Sequence, residues 1–143
     1  MPIVGMAIVG GSDGLRIGQT SIMLWGVESV ERPQTCLINR QVWACYAAAV
    51  RALETIASVA EVSCIPVGPP DGYGRILAVC TVAGVNINEA LVRSGFALAK
   101  RNETLDYVAA EEAARAERVG LWQGEFTLPA VFRASTGVFT DRP

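Results

Sequence analysis

The chain has 143 residues, 51% hydrophobic and 18% charged, enough apolar content for one compact domain and too much for a disordered segment. A net charge of -2, a single lysine (Lys100) and a pI near 5.1 exclude the broad basic face on which sequence-independent nucleic-acid binding depends, so any site for a polyanion must be local. No apolar run reaches the roughly 18 residues of a membrane span, and no signal peptide is legible.

In chain order, residues 3–9 read as a first strand and GGSDG (residues 10–14) as a tight turn of residues that tolerate positive φ. A short second strand covers 15–17 and a third covers 20–27, after which the chain enters a loop holding Glu28 and Glu31. From Arg40 the period changes: Val42, Tyr46, Ala49, Val50, Leu53, Ile56 and Ala57 recur at helical spacing, with Asn39 as the expected cap. Residues 61–67 form a fourth strand, GPPDGYG (68–74) a loop, and 75–82 a fifth, strongly apolar strand. Asn86 or Asn88 caps a second helix that runs to Val92 and is stopped by Gly95. Thr104 or Asp106 opens a third helix over 107–118, its acids and arginines forming a solvated face. The tail, 123–143, has no periodicity and reads as irregular chain outside a core of about 3–122. Three strands, a helix, two strands and then helices is the order of a five-stranded Greek-key barrel of the OB type, a mainly β member of the α+β class with about three helices in a single domain, 1–143.

Four cysteines and no histidine rule out the usual zinc patterns. Cys64 and Cys80 fall in two strands joined by a loop near Gly72 and are placed for a cross-strand bridge; Cys36 and Cys45 would tie the end of the carboxylate loop to the start of a helix. Four buried thiols is the other reading. Bridging places the protein outside the reducing cytosol, in the periplasm or secreted.

Five segments then carry a resemblance: GMAIVGGSDGLRI (5–17), SIMLWGVESVERPQTC (21–36), DGYGRILAV (71–79), LVRSGFALA (91–99) and ARAERVGLW (114–122). In order and spacing they resemble the staphylococcal-nuclease-like, or thermonuclease, family over nearly the whole chain, and the cysteine positions resemble exported bacterial members. The resemblance implies a calcium-dependent phosphodiesterase acting on DNA and RNA. It implies Asp13 and Glu28 as calcium ligands, Glu31 as the residue that positions the attacking water, Arg75 as one of two arginines on the scissile phosphate, and Tyr73 as a base-stacking side chain. The second arginine position holds Met23, Gly11 and Gly14 replace polar residues of the first turn, and Val30 replaces a loop proline.

Phosphodiester hydrolysis gathers negative charge on the phosphate oxygens, and a guanidinium fork meets it with two charge-assisted hydrogen bonds that a methionine cannot make. Removing one such donor costs on the order of 10²- to 10³-fold in rate. Met23 therefore favours a degenerate domain that keeps a pocket for a cation or a phosphate-bearing ligand; the alternative is an active calcium-dependent nuclease with another arginine, such as Arg16, Arg32 or Arg101, in the second position.

Overall fold

The computed structural model describes residues 1–136. The first strand is divided at Met6 into β1 (Ile3–Gly5) and β2 (Ala7–Val9), and the meander continues through β3 (Gly14–Ile17), β4 (Thr20–Leu24) and the two-residue β5 (Val27–Glu28). A short hairpin, β6 (Cys36–Ile38) and β7 (Gln41–Trp43), leads into α1 (Cys45–Ala57). β8 (Val62–Pro66), β9 (Ile76–Val82) and β10 (Val85–Asn86) follow, then α2 (Ile87–Arg93), β11 (Leu98–Ala99), α3 (Val108–Glu117), a 3₁₀ turn at Gly120–Gln123 and α4 (Pro129–Thr136).

The main sheet runs β1-β8-β9-β4-β3-β2, with β10 on β9; β4 and β9 are parallel and the remaining neighbours antiparallel. Its first and last strands are the two halves of the N-terminal segment, so the strand order is that of the expected Greek-key barrel. β1 pairs β8 and β2 pairs β3, and the ladder is left open between β1 and β2. The α+β assignment stands, with two adjustments: the sheet does not close into a barrel, because no ladder joins β1 to β2, and four α-helices are present among the described residues where about three are expected. None of these helices is long and apolar enough to cross a membrane.

Three local expectations are corrected. The periodic stretch from Arg40 does not begin a helix: Ile38 faces Gln41 across a two-residue loop in which Asn39 and Arg40 have φ of 52° and 65°. Positive φ at both central residues is what a tight hairpin of this twist requires, and α1 starts only at Cys45 with Ala44, not Asn39, at its N-cap. Neither Thr104 nor Asp106 caps α3; Tyr107 holds that position, and the Thr104 hydroxyl instead accepts from the Asp106 amide. Nor is the acidic face of α3 fully solvated, because Glu111 is buried and accepts from the Ala99 amide while pairing with Arg101 at 2.9 Å. By contrast, Asn86 caps α2 through the Glu89 amide, and Gly95 stops it with φ of 88°.

Two apolar clusters fill the molecule. The larger lies between the sheet and the helices and contains Ile22, Leu53, Val62, Ile87, Leu91 and their neighbours. The smaller, around Val30, Cys36, Cys45, Ala49, Leu98 and Leu121, lies under the carboxylate loop. Both disulfides are formed, Cys36–Cys45 in the smaller cluster and Cys64–Cys80 across β8 and β9, where the two residues face each other in register. Gly95 and Gly120 pack backbone to backbone, and the Leu121 amide donates to the Gly95 carbonyl at 2.9 Å. A side chain at either glycine would collide with main-chain atoms.

The strand end nearest the site is set by Asn88. This fully buried side chain accepts from the Cys80 amide at 3.1 Å and donates to the Trp25 and Ala78 carbonyls at 2.8 and 3.1 Å. Trp25 immediately follows the last residue of β4, Leu24, and precedes Gly26. Leaving the Cys80 donor and the Trp25 acceptor unpaired carries a desolvation cost, so Asn88→Ala is expected to lose about 2 kcal/mol of stability in denaturant unfolding. A change under about 0.5 kcal/mol would mean that the network does not hold the strand.

Candidate functional site

Pairing of β3 with β4 sets Gly14 opposite Met23, and the Leu24 amide donates to the Asp13 carbonyl at 3.0 Å. Asp13 is thereby fixed at the end of β4, and both it and Ser12 are buried. The Ser12 hydroxyl donates to the Val30 carbonyl at 2.9 Å, which joins the first turn to the carboxylate loop. Beyond Gly26, β5 pairs with β11 in the register Glu28 to Leu98, and the Ser29 hydroxyl donates to the Phe96 carbonyl at 2.7 Å. Val30, 1% exposed, replaces the family's proline with an apolar anchor in the smaller cluster. The loop is closed by Gln34: its side-chain oxygen accepts from the Glu31 amide at 3.1 Å, and its own amide donates to the Glu31 carbonyl at 2.8 Å.

These contacts bring Glu28 and Glu31 to a common partner. Arg133, on α4, donates from Nη2 to Glu28 Oε2 and from Nη1 to Glu31 Oε2, each at 2.7 Å. The Glu31 side chain is 4% exposed, Glu28 17% and Arg133 19%, so the three charges face one another largely out of water. Burial alone would push the Arg133 pKa down, but the hydrogen bonds it donates to Glu28 and Glu31, together with their negative charges, outweigh it and raise the pKa. The segment read as irregular tail thus carries a helix and a side chain of the site; its remainder, 137–143, lies outside the described residues.

Arg75 stands just before β9. Its Nε meets Asp71 Oδ2 at 2.8 Å, while its amide and that of Tyr73 both donate to Asp71 Oδ1 at 2.9 Å. Slight burial would raise the Asp71 pKa; the backbone donors and the guanidinium override it, and the net direction is down. Tyr73 is exposed, and the Arg75 guanidinium lies 5.0 Å from its ring centroid. This is a cation–π contact that orients both side chains over their own turn. Met23 is buried and touches two concavities shared with Arg75. One, of about 400 Å³, lies over β2, β3 and β4 beside Arg16; the other, of about 330 Å³, is bounded by Tyr73, Lys100, Glu103 and Arg133.

Of the arginines suggested from the sequence as replacements for the second clamp, Arg16 is exposed and lines the 400 Å³ concavity with Met23 and Arg75, Arg32 is exposed, and Arg101 pairs with Glu111. Among the described residues, the guanidinium that meets Glu28 and Glu31 is Arg133. Sequence reasoning also passed over Gln34 and Tyr46. Tyr46, in the first turn of α1, has its phenol pKa raised chiefly by burial and further by the negative charges of Asp13 and Glu31, with Arg32 acting the other way. Tyr46 thus lies within electrostatic range of Asp13 and Glu31.

A divalent cation between Glu28 and Glu31 would have to displace the Arg133 guanidinium. Among the described residues no three acid, histidine or cysteine side chains converge to hold a metal ion, and Glu28 and Glu31 each commit an oxygen to Arg133. Oxygen-rich calcium sites call for several such donors around one point.

The chain is similar to the succinoglycan biosynthesis protein ExoI of Rhizobium meliloti (strain 1021), 28% identical over 127 residues that cover 87% of this chain and 66% of that protein. The family model described as staphylococcal nuclease homologue matches residues 21–124, from β4 and the carboxylate loop through the 3₁₀ turn. With more than half of its length matched, the chain belongs to the family of staphylococcal nuclease homologues.

Proposed function

We propose that this is a degenerate nuclease-family domain, working in an oxidising compartment, that retains a ligand pocket and hydrolyses phosphodiesters feebly or not at all. The observation that carries the reading is the double ion pair of Arg133 with Glu28 and Glu31. A carboxylate that positions attacking water must present an oxygen to that water. Glu31 instead gives one oxygen to a guanidinium and is almost wholly enclosed. Met23 adds to this, since it offers no hydrogen bond to a phosphate where the family has an arginine. Members of the family are generally calcium-dependent, and the enclosed acid pair supports a chain that has left that chemistry. The similar Rhizobium protein is named for succinoglycan biosynthesis. The two disulfides support export to the periplasm or beyond.

A second reading, an active calcium-dependent nuclease acting on DNA or RNA, is favoured by one observation: Arg133 and Arg75 border the same 330 Å³ concavity as Met23. Arg133 would then be the second phosphate clamp. One assay separates the two. Purified protein is incubated with single-stranded DNA and calcium, with and without chelator, beside Glu31→Gln, Met23→Arg and Arg133→Gln variants. The degenerate reading expects no chelator-sensitive cleavage from the native chain. Chelator-sensitive cleavage that Glu31→Gln abolishes and Arg133→Gln lowers by about 10²-fold would replace it with the second reading.

A further inference from the structure

We propose that Arg133 is a resident substitute for the divalent cation of this site: its guanidinium fills the position between Glu28 and Glu31, and the native chain takes up no calcium there. The inference rests on the degenerate reading and extends it to the cause.

The first argument is charge. Glu28 and Glu31 are held where the loop leaves β5, with Asp13 buried in the turn that Ser12 fastens to the same loop. Carboxylates drawn together out of water demand a compensating cation, because an uncompensated buried charge costs more than most single contacts supply. In a metal site that cation is an ion with oxygen ligands. Here it is a planar fork that meets two carboxylates at 2.7 Å each, the geometry to which guanidinium is suited and a point charge is not.

The second argument is delivery. Arg133 is separated from Glu31 by 102 residues and from Glu28 by 105. Contacts before α4 bring it back. Glu125 exchanges two backbone hydrogen bonds with Leu37, at 2.8 and 2.9 Å. The Gln34 side-chain amide donates to the Thr127 carbonyl at 2.6 Å. Gln34 is also the side chain that receives the Glu31 amide. The residue that shapes the acid loop therefore grips the segment that brings the guanidinium, and the pairing is built into the fold at two levels.

Calcium uptake by the full chain tests the proposal, by titration calorimetry on the native protein, Arg133→Gln and the double variant Arg133→Gln/Glu31→Gln. The native protein is expected to show no saturable uptake in the range of about 10⁻⁴ to 10⁻³ M in which extracellular calcium modules bind. Arg133→Gln is expected to gain saturable uptake at least about tenfold tighter, lost again in the double variant. Native uptake within about threefold of the variant, or no uptake by a folded variant, overturns the proposal. If Arg133→Gln does not fold, thermal melting of the native chain decides: no shift in midpoint with about 10 mM calcium supports the proposal and a rise overturns it. Cleavage of DNA without calcium uptake would sink only the degenerate reading, and uptake without cleavage only this one.

Discussion

Removing both disulfides by Cys→Ala substitution is expected to lower the unfolding free energy by about 5–6 kcal/mol, comparable to the whole stability of a modest domain. The two bridges contribute unequally. Cys64–Cys80 closes a separation of 16 residues and, on loop-closure entropy, contributes about 3 kcal/mol; Cys36–Cys45 closes 9 and contributes about 2.5 kcal/mol. Alanine is the fitting replacement because all four positions are nearly or fully buried, and a serine hydroxyl would need a partner there. The variants also differ in what they disturb. Cys64–Cys80 joins strands already held by a five-pair register, so its loss should lower the denaturant midpoint and leave the native site intact. Cys36–Cys45 ties the end of the Glu31 loop to the first turn of α1, where Tyr46 stands, so its loss should loosen the acid pair before the sheet. Urea unfolding of the single-bridge variants, at unchanged slope, measures each term. A combined loss below about 2 kcal/mol would show that the folded chain does not depend on its bridges.

The sequence disclosed the fold because its signals are local. Gly95, Gly120 and the cysteines stand where a turn or a register demands them, and five ordered segments fix the strand order. Glu28 and Glu31 were legible as a carboxylate pair in the loop after the third strand, whereas Asp13 was singled out only through the family resemblance. The β6–β7 hairpin was hidden because Val42 continues the helical period of α1, and periodicity cannot separate a short strand from the first turn of a following helix. The local sign of the hairpin is Asn39, a residue type that tolerates the left-handed region it occupies, with φ of 52°. Arg133 was hidden for a different reason. Nothing local distinguishes an arginine that ends in solvent from one that folds back across 102 residues onto a buried glutamate. The proline at the start of PAVFRAST marks a helix N-terminus, and that signal was available. The partner of the helix was not.

Gly124→Ala is expected to test this long-range connection, with a local loss of about 3 kcal/mol confined to the C-terminal segment. Gly124 lies against β6 so closely that an added Cβ would overlap the Leu37 carbonyl oxygen, with the Leu37 carbonyl carbon at 2.9 Å and Ile38 Cα at 3.0 Å. All three are main-chain atoms, so no flexible side chain can yield. The strand or the segment has to move, and movement breaks the reciprocal Leu37–Glu125 hydrogen bonds that precede α4. Amide protection at Leu37 and Glu125 should fall by about 10²-fold in hydrogen exchange, while Cys80 and Val82 in the main sheet keep theirs. The loosened segment no longer carries Arg133 firmly to Glu28 and Glu31, so Gly124→Ala should acquire part of the calcium uptake expected of Arg133→Gln although it touches neither acid. Unchanged protection at Leu37 and Glu125 would show that Gly124 does not hold the segment. Lost protection without any calcium uptake would show that α4 keeps Arg133 in place through contacts of its own.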